Sequence, residues 1–364
     1  MIMSIYIDFH VLQTVPPSCV NRDDTGSPKT AIYGGAVRAR VSSQAWKHVM
    51  RESFKDLFKD EDIGCRTKFV AEMVEDEMLA SDSSLDKTEC HKKAVEALNM
   101  AGLTVKSAKK GETEKADALF FMSKKQAKAI AEYAIELNLK DKKEAEKVLK
   151  NALKENPSVD IALFGRMAAN DPTLNYDASA QVAHAISTHA VENEYDYFTA
   201  VDDMQKDDNA GAGHLGTVEF NSSTLYRYAT VNVSELSETI GAENAAETVK
   251  NFADAFVYSM PTGKSNSFAN RTMPDSVYIT VRKDQPVNLC GAFEAPVKKS
   301  DRGYVSESEK KLEEYAETVY RKFAAEPEKA FCTEGCFDKI AETLSLPEML
   351  SELEKTVNDM INEV

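Results

Sequence analysis

No apolar run in this chain reaches membrane-spanning length, and the first hydrophobic stretch carries Asp8 and His10 where a secretory leader needs an uninterrupted core. The expectation is a cytoplasmic protein with no membrane partner. Cysteine is scarce. Cys19, Cys65, Cys90, Cys290, Cys332 and Cys336 are scattered over 364 residues, which fits reduced thiols better than a disulfide framework. Only Cys332 and Cys336 are close together, and with Cys90 and His91 far upstream they make a poor zinc signature, so no metal or other cofactor is expected. Positive charge is in deficit: 44 Lys and Arg stand against 60 Asp and Glu, for a net charge of −16. That field repels a polyanion and excludes indiscriminate nucleic-acid binding. Any nucleic-acid site must be local.

Catalytic signatures are thin as well. No serine or cysteine sits in a nucleophile motif. Gly211, Gly213 and Gly216 satisfy the letter of the dinucleotide pattern, but Thr217 onward reads as a strand and no Rossmann unit precedes it, which excludes NAD binding. His184 and His189 are separated by an odd number of residues, so on a strand they face opposite sides, and they read as structural rather than as partners of Asp202 and Asp203. The adjacent carboxylates of Asp23 and Asp24 could hold Mg²⁺. No further ligand is obvious nearby, so loop shaping or ion pairing is the favoured role.

What is present suits a folded protein, with 43% hydrophobic and 29% charged residues. The length admits one core with large insertions or two domains. Residues 2–12 alternate, with Ile5, Ile7, Phe9 and Val11 on one face, and predict a half-buried strand. The segment Thr14 to Gly35 holds three prolines and three glycines and predicts a long, shaped loop. A short strand follows near Val37 to Val41. Then Trp46, Val49, Met50, Leu57 and Phe58 recur at helical spacing behind the N-cap candidates Ser42 and Ser43. From about Lys59 to Pro157 the composition shifts to Lys, Glu and Ala, with helical patterns at Lys68–Leu79, Lys87–Leu98, Lys124–Leu137 and Lys142–Leu153. Ser123 with Gln126 resembles a capping box there. Strands are predicted at Asp160–Gly165, Val182–Val191, Tyr195–Val201 and Thr217–Val233. A projecting tip spans Asp202–Gly216, a helix covers Ala242–Tyr258, a loop Pro261–Pro274, a strand Val277–Val281, and helices follow Ser306. Strands at both ends enclosing a helical insertion predict one α+β sheet domain.

Against that acidic background, Thr25 to Arg51 contains no Asp or Glu at all. Its cations are Lys29, Arg38, Arg40, Lys47 and Arg51. Gln44, Lys47, Arg51 and Lys55 step by three or four, so they share the helix face opposite Trp46, Val49 and Met50. Ser42 and Ser43 add hydroxyls at a helix start, where the dipole favours an anion. The stretch reads as a phosphate cradle or as a solvated basic face. A second acid-free stretch, Ala255 to Pro274, offers Lys264, Phe268, Asn270 and Arg271.

The runs Pro17-Ser18-Cys19-Val20-Asn21-Arg22-Asp23-Asp24, Ile32-Tyr33-Gly34-Gly35 and Arg40-Val41-Ser42-Ser43-Gln44 with Lys47 resemble the Cas-seven family of CRISPR backbone subunits, in the CasC (Cse-four) form of type I-E Cascade. Val159 to Met167, Ala183-His184-Ala185-Ile186, Tyr197 to Asp203 and His214-Leu215-Gly216-Thr217 carry the same resemblance; the helical insertion and the last third match less closely. It implies an α+β fold: an RRM-like (ferredoxin-like) palm at 1–58, 179–194 and 226–364, inserted helical fingers at 59–178, and a protruding β-hairpin thumb at 195–225. It implies a non-catalytic subunit polymerised along CRISPR RNA, with guide bases left to pair with target DNA. Its implied partners are further copies of itself, the large, small and five-prime-end cap subunits, the guide-processing endoribonuclease and a recruited helicase-nuclease. RNA contacts are expected from Arg22, Lys29, Arg38, Arg40, Ser42, Ser43, Gln44, Lys47, Arg51, Arg166, Met167 and Lys264. Tyr197, Phe198, Val201 and Leu215 belong to the base-displacing thumb, with Tyr197 where the family often has Trp. The rival expectation is a metal-dependent endoribonuclease using Asp23 or Asp24, as in related type III subunits.

Overall fold

The computed structural model describes residues 4–106, 114–136, 142–168, 171–200, 215–333, 335 and 337–363. In chain order the elements are β1 (Tyr6–Ser18), β2 (Thr30–Tyr33), β3 (Ala36–Val41), α1 (Ser43–Leu57), β4 (Gly64–Thr67), α2 (Val70–Ser81), α3 (Lys87–Met100), β5 (Val105–Lys106), β6 (Lys115–Ala116), β7 (Phe120–Ser123), α4 (Lys124–Glu136), α5 (Lys142–Lys154), α6 (Val159–Phe164), β8 (Ala180–Val182), β9 (Ala185–Ser187), β10 (Glu194–Thr199), β11 (Leu215–Asn232), α7 (Val233–Ile240), α8 (Ala242–Tyr258), α9 (Ser265–Phe268), β12 (Ser276–Arg282), α10 (Val305–Lys322), β13 (Lys329–Cys332), β14 (Glu342–Thr343) and α11 (Leu346–Asn362). They fall into two compact units, one of residues 1–53, 182–232 and 252–359, the other of 54–181, 233–251 and 360–364. No helix among the described residues is long and apolar enough to cross a membrane.

The first unit is the α+β palm. Its sheet runs β14-β13-β12-β1-β11-β9-β3-β2, with β10 paired to the outer part of β11. Strand β1 sits between β11 and β12, antiparallel to both. The alternation of β1 predicts a half-buried strand, but both faces are covered. Phe9 packs on Phe252 and Phe256 of α8 on one side. Leu12 joins Tyr226, Tyr278, Phe293 and Leu312 in a second core on the other. Burial on both sides costs Asp8 and His10 their water, and hydrogen bonds within the core replace part of it. Asp8 accepts from Tyr228 Oη and Val287 N, both at 2.8 Å, and burial pushes its carboxyl up to about 6. His10 Nδ1 lies 2.8 Å from Tyr226 Oη, and burial pulls this imidazole down to about 3.

The expected long loop is partly strand. Strand β1 runs through Pro16 and Pro17 to Ser18, with its pairing to β11 shifting between Val15 and Ser18. A bulge is where a ladder tolerates prolines, which have no N–H to donate. Thr30–Tyr33 then pairs with β3 through Gly34 and Gly35, whose φ values of 57° and 74° suit a tight two-residue hairpin.

The second unit is built on α2 to α5, which enclose a core of Val74, Met78, Leu98, Ile130, Leu149 and Leu153. The capping box is present: Ser123 N donates to Gln126 Oε1 at 3.2 Å, and Gln126 N donates to Ser123 Oγ at 3.0 Å. Asp160–Gly165 departs from the expected strand, because Val159–Phe164 is a helix. A short apolar run has no decisive period. Here Asp160 settles the local geometry, accepting from Gly64 N at 2.9 Å and from Ser158 Oγ at 2.6 Å.

Candidate nucleic-acid interface

The loop after β1 folds on its own side chains. Asp23 Oδ1 accepts from Thr25 N at 2.9 Å, Thr25 Oγ1 at 2.7 Å and Ser27 N at 2.9 Å, and these donors, the Thr25 hydroxyl first, hold its carboxyl below the usual range. That is loop shaping by an acidic side chain. Asn21 Oδ1 then accepts from Ser42 N at 2.9 Å, fastening the loop to the start of α1. Ser42 Oγ accepts from Ala45 N at 3.3 Å, so Ser42 is the N-cap. Ser42 and Ser43 are both buried, and the Ser42 hydroxyl expected to meet a phosphate is engaged in capping α1.

On α1, Trp46, Met50 and Phe54 are buried. Gln44 is exposed, while Lys47 and Arg51 are half-buried. Burial lowers the pKa of Lys47. Across from it, Arg40 Nη1 lies 3.1 Å from His184 Nδ1, and Arg40 Nε donates to Thr30 O at 3.2 Å. Burial, then Arg40, Lys29 and Lys47, lower the pKa of His184. This puts Lys29, Arg40, Lys47 and His184 in one electrostatic cluster.

Lys264 arrives from the second acid-free stretch by a close backbone approach. A Cβ at Gly263 would lie 2.0 Å from Val20 O, so only glycine lets the two loops meet. Burial pushes the Cys19 thiol up, and Arg22 and Lys264 both oppose that rise, which puts a cation from each loop within reach of one buried group. The Lys264 loop also touches the base of the thumb, where the Phe220 and Phe268 rings are 5.8 Å apart.

The thumb hairpin pairs Tyr197 with Thr217, Phe198 with Gly216 and Thr199 with Leu215. Every residue of β10 is exposed. Tyr195, Tyr197 and Leu215 share one face, and Tyr197 is 65% exposed. Phe198 lies on the other face over Gly216, where a Cβ would come 2.4 Å from its ring. Val201 and the tip 202–214 lie outside the described residues, as does Cys336.

Two expected contacts need correction. Arg38 is 0% exposed and donates to Ser187 O at 2.9 Å, Phe293 O at 2.8 Å and Glu294 O at 3.3 Å. Arg166, also buried, donates to Leu174 O, Phe121 O, Gln126 Oε1 and Leu153 O, and burial pulls its pKa down to about 10. Their guanidinium groups are spent on carbonyl and amide oxygens. Met167, next in sequence, is 82% exposed on the helical unit. Sequence reasoning missed Asn21 as the fastener, Tyr195 as a fourth exposed thumb side chain and His184 as a neighbour of Arg40. The structural reading fits His189, which is buried and accepts from Thr224 N at 3.1 Å.

Residues 7–360 match the model of the family described as CT1975-like protein. The chain belongs to that family. It is also 31% identical to a chain from a solved CRISPR RNA-guided surveillance complex, pre-nicking, with a TM-score of 0.81 over 97% of this chain and 100% of that one. A second chain, from a CRISPR RNA-guided surveillance complex, is 28% identical, with a TM-score of 0.63 over 96% and 99%. No curated protein matches.

Proposed function

We propose that this CT1975-like chain is the guide-RNA-binding backbone subunit of a type I-E Cascade complex, the CasC position, and that it acts as a scaffold without nuclease activity. The observation that carries this reading is convergence. Arg22, Lys29, Arg40, Lys47 and Lys264, drawn from separated stretches, gather in the unit that carries an exposed aromatic hairpin, and nearly the whole chain resembles a subunit of an RNA-guided complex.

The cluster suits a backbone rather than a base sequence. Cations and a helix start hold phosphates and fix the strand's path, while base edges stay free to pair with target DNA. Tyr195, Tyr197, Phe198 and Leu215 offer stacking and wedging surface to the same strand. The net charge of −16 keeps the rest of the surface unattractive to stray polyanions. Further copies of the chain follow the guide, and the large, small, cap and endoribonuclease subunits complete the assembly. A recruited helicase-nuclease does the cutting. In this reading Asp23 shapes its loop, through the three hydrogen bonds that its Oδ1 accepts, rather than serving a nuclease.

Native mass spectrometry of the chain co-expressed with its guide RNA tests assembly. The wild type forms multimers on RNA, while Lys47→Glu combined with Arg51→Glu stays a folded monomer. Unchanged multimers in the double variant would refute the phosphate grip. Incubating the wild-type assembly with complementary RNA and Mg²⁺ checks the scaffold role: regularly spaced cleavage that disappears in Asp24→Ala would overturn it.

A further inference from the structure

Of the four side chains that cluster in front of β3, His184 has no part in the reading above. Its Nδ1 lies 3.1 Å from Arg40 Nη1. A guanidinium nitrogen has hydrogens to donate and no lone pair to offer, so Nδ1 is the acceptor. In the free protein the ring is therefore neutral, with its one proton on Nε2. His189 makes the contrast clear: that ring is buried, with Nδ1 on Ala190 O at 2.8 Å and Nε2 on Thr224 N at 3.1 Å. His184 is exposed, so an arriving acceptor can reach the ring.

The charged groups acting on His184 come from three elements: Arg40 on β3, Lys29 in the loop before β2, and Lys47 on α1. All are cations. They repel a second proton on the ring, which is why the free imidazole stays neutral. A phosphate at this cluster accepts from Nε2–H and offsets the repulsion, so the second proton becomes favourable. We propose that His184 is a further RNA-contacting residue, donating from Nε2 to a backbone phosphate shared with Arg40 and Lys47 and holding it as the imidazolium. This rests on the guide-RNA reading. The proton taken up comes from solvent and goes to Nδ1, which then releases Arg40 Nη1 to turn both its hydrogens toward the phosphate. Linkage is reciprocal: if RNA raises the proton affinity of His184, acid raises the affinity for RNA.

The test uses the full chain and a labelled, unstructured single-stranded RNA, with affinity measured at about pH 8 and about pH 6, where histidine changes charge. Wild-type affinity is expected to rise about threefold to tenfold on acidification, the scale of up to one pKa unit. Calorimetry in buffers of different ionisation enthalpy should record proton uptake. His184→Gln should lose the acid-dependent gain and most of the uptake. His184→Arg, with a permanent charge, should bind tightly at both pH values. Unfolding followed by Trp46 fluorescence confirms that both variants fold. Binding with the same acid-dependent gain in His184→Gln as in wild type overturns this inference and leaves the guide-RNA reading intact. No RNA binding by the wild type at either pH overturns both.

Discussion

Arg38 and Arg40 stand two residues apart on β3 inside the same acid-free stretch, and truncating each should have opposite consequences. Arg38 spends two guanidinium nitrogens on three carbonyls, tying β3 to β9 through Ser187 and to the turn at Phe293 and Glu294. Hydrogen bonds from a charged donor contribute about 1.5–3 kcal/mol each, and they overlap when they share one group. Arg38→Ala also orphans buried carbonyls and leaves the volume of a fully buried side chain. The combined loss should be about 3–5 kcal/mol. Trp46, the single tryptophan, is buried in the same unit and reports unfolding in urea, where the midpoint should fall by roughly 1–2 M. Arg40 is only partly buried and donates to one carbonyl, that of Thr30. Arg40→Ala should change stability by about 0.5 kcal/mol or less, yet weaken RNA binding and flatten its dependence on log salt by about 0.7, the share of one phosphate contact on a single strand. An Arg38→Ala protein that unfolds at the wild-type urea concentration, or an Arg40→Ala protein with an unchanged salt slope, would refute this division of labour.

Three further outcomes follow from buried or crowded groups. Asp8 titrates near 6 when folded against 3.8 as its ordinary value, so the unfolded chain ionises first and stability falls as pH rises between those values, by about 3 kcal/mol in all. Relative to wild type, Asp8→Asn should therefore gain about that much between pH 4 and pH 7 in urea titrations; a constant difference would contradict the assignment. Gly263→Ala drives a methyl into Val20 O and should cost about 1–3 kcal/mol while weakening RNA binding through displaced Lys264, measured by filter binding against wild type. Gln126→Ala removes the capping-box partner together with acceptors and donors for Arg166, Leu153 and Glu155. It should lower the stability of the helical unit by about 2–4 kcal/mol, read as loss of hydrogen-exchange protection in α4 and α5.

Periodicity made much of the fold legible. Helix α8 spans the predicted Ala242–Tyr258, and the capping box at Ser123 was readable because its two residues lie three apart. Alternation in β1 showed two faces but not that both would be covered, since the covering helices α8 and α10 lie more than 200 residues away. The six-residue run at Val159 was too short for its period to decide. In the site, the acid-free stretch marked the right region, and helical spacing separated Lys47 from Trp46. The closeness of Lys264 to Arg22 was not legible, because it depends on one backbone approach at Gly263. His184 was obscured by the strand argument: parity placed it opposite His189, and it could not tell that the opposite side held Arg40.

What separates a structural arginine from a ligand-facing one in this chain is burial together with its acceptors, since Arg40 also donates to a main-chain carbonyl but is only partly buried. Arg38, Arg166, Arg227 and Arg282 are all buried, and each donates to at least one main-chain oxygen. A guanidinium can do this because its planar fork reaches several acceptors at once and it is weakly hydrated, so burial costs it less than it costs an ammonium. Arg227 adds a stack 3.8 Å from the Trp46 ring, which places a buried cation directly behind the helix that carries Lys47. Removing its bulk from behind Trp46 should loosen the seat of α1 before it alters the surface. Arg227→Met, close in volume and apolar, should therefore keep the Trp46 core packed and retain most RNA affinity, whereas Arg227→Ala should lose both together. Equal RNA-binding defects in the two variants, with wild-type unfolding, would show instead that the buried charge itself draws the RNA.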